Sequence, residues 1–167
     1  QNISSTGTCI TIGANGVTLD GNNKRITYAT GGDSGEGVEI TGYDNFVMKD
    51  IDIYQTDTSR TGSCDGVDIS DANNLLFDNV YMFIEGSDLS SSNGRGIYAS
   101  DLITNFTLQN SYIETDNLDG TGVRIEAGGG DVIDDLYIIN STIYTTSGSS
   151  SSCSCGLRFR GSAGDLD

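Results

Sequence analysis

The sequence predicts an all-β protein wound as a single parallel β-helix. Three observations lead there: a motif that recurs about every thirty residues, alternating apolar pairs within each copy, and an asparagine or aspartate at one fixed place in the period. The best-formed copy is GVDISDANNLLFDNVYMFI, residues 66–84. Its apolar positions 67 and 69, 75 and 77, 80 and 82 are each separated by one residue, which is strand periodicity with one face buried. The leading glycines stand at 37, 66, 96, 122 and 156, in steps of 29, 30, 26 and 34. A coil of three short strands cannot bury its inner face alone. Stacked coils, about 4.8 Å apart, bury it against one another and pair every strand in parallel.

In chain order, residues 1–8, QNISSTGT, are a polar, extended lead. Coil one, CITIGANGVTLDGNNKRI from residue 9, is a degenerate copy with Cys9 in the glycine's place. Coil two is GVEITGYDNFVMKDIDI from 37, and coil three starts at 66. Coil four is GIYASDLITNFTLQNSYI from 96, and coil five GVRIEAGGGDVIDDLYIINSTI from 122. GLRF from 156 opens a partial sixth, so about five full coils and part of another are expected in one domain, 1–167. Variable Ser-, Thr-, Gly- and Asp-rich loops at 29–36, 55–65, 85–95, 114–121 and 145–155 leave the same edge, because they occupy the same place in the period. No 3.6-residue periodicity appears, and neither end carries an amphipathic helical cap.

The polar column consists of Asp50, Asn79, Asn110 and Asn140, each just before the third strand of its coil; Asn22 or Asn23 is the nearest equivalent in coil one. Pointing inward, such side chains need hydrogen bonds, and amides stacked at strand spacing supply them to one another. Here the chain resembles the right-handed parallel β-helices of the pectate-lyase-like group, whose repeats carry an asparagine ladder at this bend. The resemblance covers residues 9–159 and implies a right-handed winding; it is nearly silent on function.

The chain has 8 Lys+Arg against 24 Asp+Glu, a net charge of −16, and no His, Pro or Trp. That charge repels nucleic acid and anionic membranes, and no stretch approaches the roughly 20 apolar residues of a membrane span. Gln1 at the start, polar loops and the sequons at Asn2, Asn105 and Asn140 point to a secreted, extracellular chain with its signal peptide removed. Asn2 and Asn105 are the expected glycan sites. Asn140, in the ladder, is expected to be buried and unmodified.

A polysaccharide lyase needs clustered carboxylates holding calcium and an Arg or Lys base. The outward column Thr11, Glu39, Asp68, Tyr98, Arg124, Arg158 has an acid-to-base gradient instead of interleaved groups; Glu39 and Asp68, one coil apart, can share a cation. The galacturonase-type hydrolases need a His motif, and the chain has none. No cofactor is expected, with calcium at the acidic turns 31–37 or 116–120 as the alternative. Outward aromatic and aliphatic residues form further columns: Val47, Leu76 and Tyr137 on the second strands, Tyr54, Tyr81, Phe83, Tyr112 and Tyr144 on or after the third.

The expected function is therefore structural: a subunit that assembles with itself, head-to-tail and laterally, into an extracellular fibre, sheath or surface layer. In this it resembles a prokaryotic, archaeal-type sheath protein. The alternative is a carbohydrate-binding or adhesin domain using the tyrosine columns on glycans, and an enzyme comes third. The four cysteines complete the picture. Cys155 of one subunit is expected to bond Cys9 of the next, with Cys64 and Cys153 forming the other pair.

Overall fold

The computed structural model describes residues 1–32, 34–55, 62–85, 94–116, 120–127, 133–146 and 155–160. These form twelve strands of one sheet, all pairings parallel, and no helix. The chain is thus a parallel β-solenoid. The strands are β1 (Ile3–Ser4), β2 (Ile10–Ile12), β3 (Thr18–Thr27), β4 (Val38–Thr41), β5 (Val47–Gln55), β6 (Cys64–Glu85), β7 (Gly94–Gln109), β8 (Tyr112–Asp116), β9 (Thr121–Glu126), β10 (Ile133–Ile139), β11 (Thr142–Thr146) and β12 (Cys155–Arg160).

Three walls stack in register. The first runs Ile10, Val38, Val67, Ile97, Val123, Leu157. The second runs Thr18, Val47, Leu76, Thr107, Tyr137, and the third Ile26, Ile53, Met82, Ile113, Ile143. The N-terminal lead is more than a tail. Its β1 pairs with the end of β3, Ile3 opposite Ile26, and extends the third wall by a short rung. Inside, Phe46, Phe77 and Phe106 are fully buried and meet edge-to-face, with centroids 6.2 and 5.2 Å apart.

The leading glycines are explained by close approach. At Gly96 an added Cβ would lie 2.2 Å from the Ile113 side chain and 2.5 Å from the carbonyl oxygen of Gly122 on the next rung. The first and third walls converge there, leaving no room for a side chain.

The polar column exists, but it faces outward. Asn79, Asn110 and Asn140 are exposed and Asp50 is half-buried. All four adopt the left-handed conformation, with φ between 47° and 54°. That turn breaks the in–out alternation, so Asp78 and Asn79 both point outward between buried Phe77 and Val80. Ile51, Val80 and Ser111 fill the inward corner instead. Asparagine is selected here because its short polar side chain tolerates left-handed backbone. The ladder is also interrupted. Asn79 Nδ2 donates to Asp50 Oδ1 (2.7 Å) and Asn140 Nδ2 to Asn110 Oδ1 (2.9 Å), but Asn110 Nδ2 turns to Asp78 Oδ1 (2.8 Å).

Candidate functional site

The strongest concentration of polar chemistry lies on the outside of the first wall. Register sets Glu39, Asp68, Tyr98, Arg124 and Arg158 in one column, as the spacing of the repeats requires. Beside it stand Glu36, which belongs to the acidic turn 31–37 named above as a calcium alternative, and two residues that the repeat pattern does not single out, Asp65 and Arg95. They sit next to the leading glycines, where the chain bends into the wall. Their signal was available as the residue before each glycine: Glu36, Asp65, Arg95.

Carboxylate oxygens of Glu36, Asp65 and Asp68 lie within 4.8 Å of one another. Thr8 Oγ1 donates to Glu36 Oε2 at 2.8 Å, and Thr11 Oγ1 to Glu39 Oε2 at 3.2 Å. Asp65 is buried and grips Arg95 with two bonds, from Nε at 2.7 Å and Nη2 at 2.6 Å. The Arg95 guanidinium also lies over the Tyr98 ring, 3.6 Å from its centroid. Tyr98 donates its hydroxyl proton to Glu126 Oε2 at 3.0 Å, and Arg124 and Arg160 both reach Glu126 Oε1.

The electrostatics follow the crowding. Burial, reinforced by Asp65 and Glu36, pushes the Asp68 carboxyl up to about 6. Burial also raises Glu36, against the bond from Thr8. Burial opposes the charge on Arg95, but Asp65 more than offsets it and the guanidinium ends above its ordinary value. Three convergent carboxylates are the donor set a hard cation takes, and Glu36, Asp65 and Asp68 are the residues that would hold it. Arg95 already supplies a positive charge to that cluster. Fixed by Asp65 and stacked on Tyr98, it is also poorly placed to act as a base. Of the two expected calcium turns, Asp33 and residues 117–119 lie outside the described residues.

On the third wall the outward aromatics are less exposed than their pattern suggests. Tyr54 stacks on Tyr81 at 5.5 Å, Tyr81 on Tyr112 at 5.4 Å with planes 6° apart, and Tyr54 also meets Phe83 at 5.9 Å. Arg25 covers Tyr54 at 3.6 Å. These four rings are half-buried in one another, whereas Tyr137 and Tyr144 stay exposed. Desolvation, with Tyr54 adding to it, pushes the Tyr81 hydroxyl up to about 12.

Cys9 and Cys155 are half-buried free thiols, and burial raises the Cys9 thiol. Cys9 occupies the glycine column, while Cys155 is opposite Thr121 in the column of Asp65 and Arg95, one residue away. Cys64 is buried, and Cys153 lies outside the described residues. Of the expected glycan sites, Asn2 is exposed and its Oδ1 accepts the Arg25 N–H at 3.1 Å. Asn105 belongs to a second ladder the sequence reading missed: Asn45, Asn74, Asn105 and Asp135 repeat the left-handed turn before the second wall. Asn74 Nδ2 donates to Asn45 Oδ1 at 3.3 Å, and Asn105 Nδ2 to Asn74 Oδ1 at 2.7 Å. Asn before Phe or Leu in DNF, NNL and TNF was the available signal.

Comparison with protein-family models, curated proteins and solved structures gives no match to this chain.

Proposed function

We propose that the protein is a secreted structural subunit that stacks end to end into an extracellular fibre or sheath. One observation carries this reading. Among the described residues β2 pairs only with β4 and β12 only with β9, so each leaves a strand edge open. On β12 the residues that continue the core columns, Leu157 and Phe159, are 41% and 47% exposed. At the other end a cavity of about 310 Å³ has an apolar side of Ile3, Ile10, Leu19, Ile26 and Ile51 and a charged rim that includes Asp20, Lys24 and Arg25. An open parallel edge with apolar residues beneath it is a template for another strand. Docking β12 of one copy on β2 of the next continues both the ladder and the core.

In such a junction Cys155 faces Thr8 of the next copy, diagonal to Cys9. A strand spacing of about 4.8 Å and a rise of about 3.3 Å put the two cysteine Cα atoms roughly 6 Å apart, within the span of a disulfide. The stacking weighs against the row Tyr54, Tyr81, Tyr112 as a carbohydrate-binding surface, and leaves only the exposed Tyr137 and Tyr144 for that alternative. Rings in the row Arg25, Tyr54, Tyr81, Tyr112 present their faces to one another and to a guanidinium, leaving little face for a sugar.

Electron microscopy of concentrated protein under oxidising conditions tests the reading. Filaments with a non-reducing multimer ladder that collapses with thiol are expected. Monomer alone, by microscopy and by sedimentation, overturns it.

A further inference from the structure

We infer that Asn140 is a site of N-linked glycosylation, and that the attached sugar lies over an apolar patch on the fifth coil. The sequon Asn140-Ser141-Thr142 spans the corner between β10 and β11. The corner separates its three side chains: Asn140 and Thr142 are exposed, while Ser141 is only half-exposed, its Oγ donating to the Ile139 carbonyl at 2.9 Å and accepting the Ser111 N–H at 3.1 Å. The two side chains that define a sequon thus stand outside together. At Asn105 the corresponding threonine, Thr107, is half-buried.

Asn140 Nδ2 makes one ladder bond, to Asn110 Oδ1 at 2.9 Å, and carries a second proton. Transfer from a lipid-diphosphate-linked oligosaccharide forms a bond between Nδ2 and the anomeric carbon. It breaks that carbon's bond to the diphosphate oxygen and releases the lipid diphosphate, whose oxygen takes up in the net reaction the one amide proton that Nδ2 loses. The other proton stays on nitrogen, so the ladder bond to Asn110 can survive modification.

A second observation points to the same place. Tyr137, Ile139 and Tyr144 are 48%, 50% and 49% exposed, and they flank Asn140 on both sides of the corner. They stand on β10 and β11, each of which pairs on one side only among the described residues, and they form one apolar group around Asn140. The apolar face of a pyranose covers such groups, and tyrosine supplies both a ring and a hydroxyl for it.

The inference rests on the secreted character proposed above, and the experiment supplies that condition separately. The chain is secreted from a glycosylating eukaryotic host alongside a control glycoprotein, and its peptides are read by mass spectrometry. A hexosamine-linked glycan on the Asn140 peptide is expected, absent in Asn140→Gln and in Thr142→Ala. Hydroxyl-radical labelling of Tyr137 and Tyr144 should rise at least twofold in Asn140→Gln relative to the glycosylated protein. An unmodified Asn140 peptide, in a preparation whose control glycoprotein carries sugar, overturns the inference whether or not the protein forms filaments.

Discussion

Asn79 shows how backbone conformation, not burial, selects a residue. With φ at 54° and its side chain in solvent, its role is to turn the chain. Replacing it with Gly should change stability little. Replacing it with Leu should cost about 1–2 kcal/mol, the penalty of left-handed backbone for a residue whose Cβ crowds the next carbonyl oxygen and whose side chain offers no compensating local hydrogen bond. Chemical denaturation of both variants checks this, and equal losses would mean that the exposed amide bond to Asp50 dominates. Asp68 yields a pH prediction. Its folded pKa, about 6, exceeds the ordinary aspartate value. The stability it contributes is therefore present below about pH 4 and lost as pH rises through 6. Because the group is only partly buried, screening reduces the penalty to about 1 kcal/mol. Asp68→Asn should raise Tm by about 2–4 °C at pH 8 and leave it nearly unchanged at pH 4. A gain of equal size at both pH values would show that charge crowding is not the cause.

The strands were the most readable part of the sequence. Alternating pairs such as Val67/Ile69 and Leu75/Phe77 located the walls, because period-two burial leaves a direct trace in residue type. Less was visible at the corners. Inward and outward places differ there by one left-handed residue, and a regular in–out alternation carried across Asn79 assigns it to the wrong side. Asp65 and Arg95 were hidden for a related reason: regular alternation back from Val67 and Ile97 puts them on the inner side, yet Asp65 reaches Asp68 and Arg95 covers Tyr98. The leading glycines are themselves testable. Gly96→Ala should destabilise by about 1–3 kcal/mol, since the new Cβ meets a backbone carbonyl that cannot move without disturbing the next rung. A wild-type Tm would contradict the close approach of the walls. Tyr81→Ala removes two stacked contacts and should cost about 1–3 kcal/mol, without reducing binding on a glycan array.

As a whole the molecule is a stack whose every layer resembles the next, and its proposed assembly uses the same pairing as its fold. If filaments form through β12 and β2, the double substitution Leu157→Lys with Phe159→Lys should leave the far-ultraviolet spectrum of the monomer intact while abolishing filaments. Charged residues at an exposed edge are a known brake on strand addition. Filaments that persist in this variant would place the contact on the lateral walls.

A chain of near-identical layers has a particular hazard: any layer can settle on any other, and a winding that skips one would still bury apolar side chains. The pair Asp65–Arg95 marks one correct neighbour. If the third coil skipped onto the fifth, Asp65 would stand against Thr121, and its charge and that of Arg95 would each be stranded in a dry place. A buried ion pair adds little net stability over an apolar replacement, but an orphaned buried charge is heavily penalised. Its value is then to discriminate between right and wrong threadings. Replacing both partners, Asp65→Leu with Arg95→Met, should leave the melting temperature close to wild type yet lower the yield of correctly wound protein on refolding, the remainder being trapped one layer out of phase.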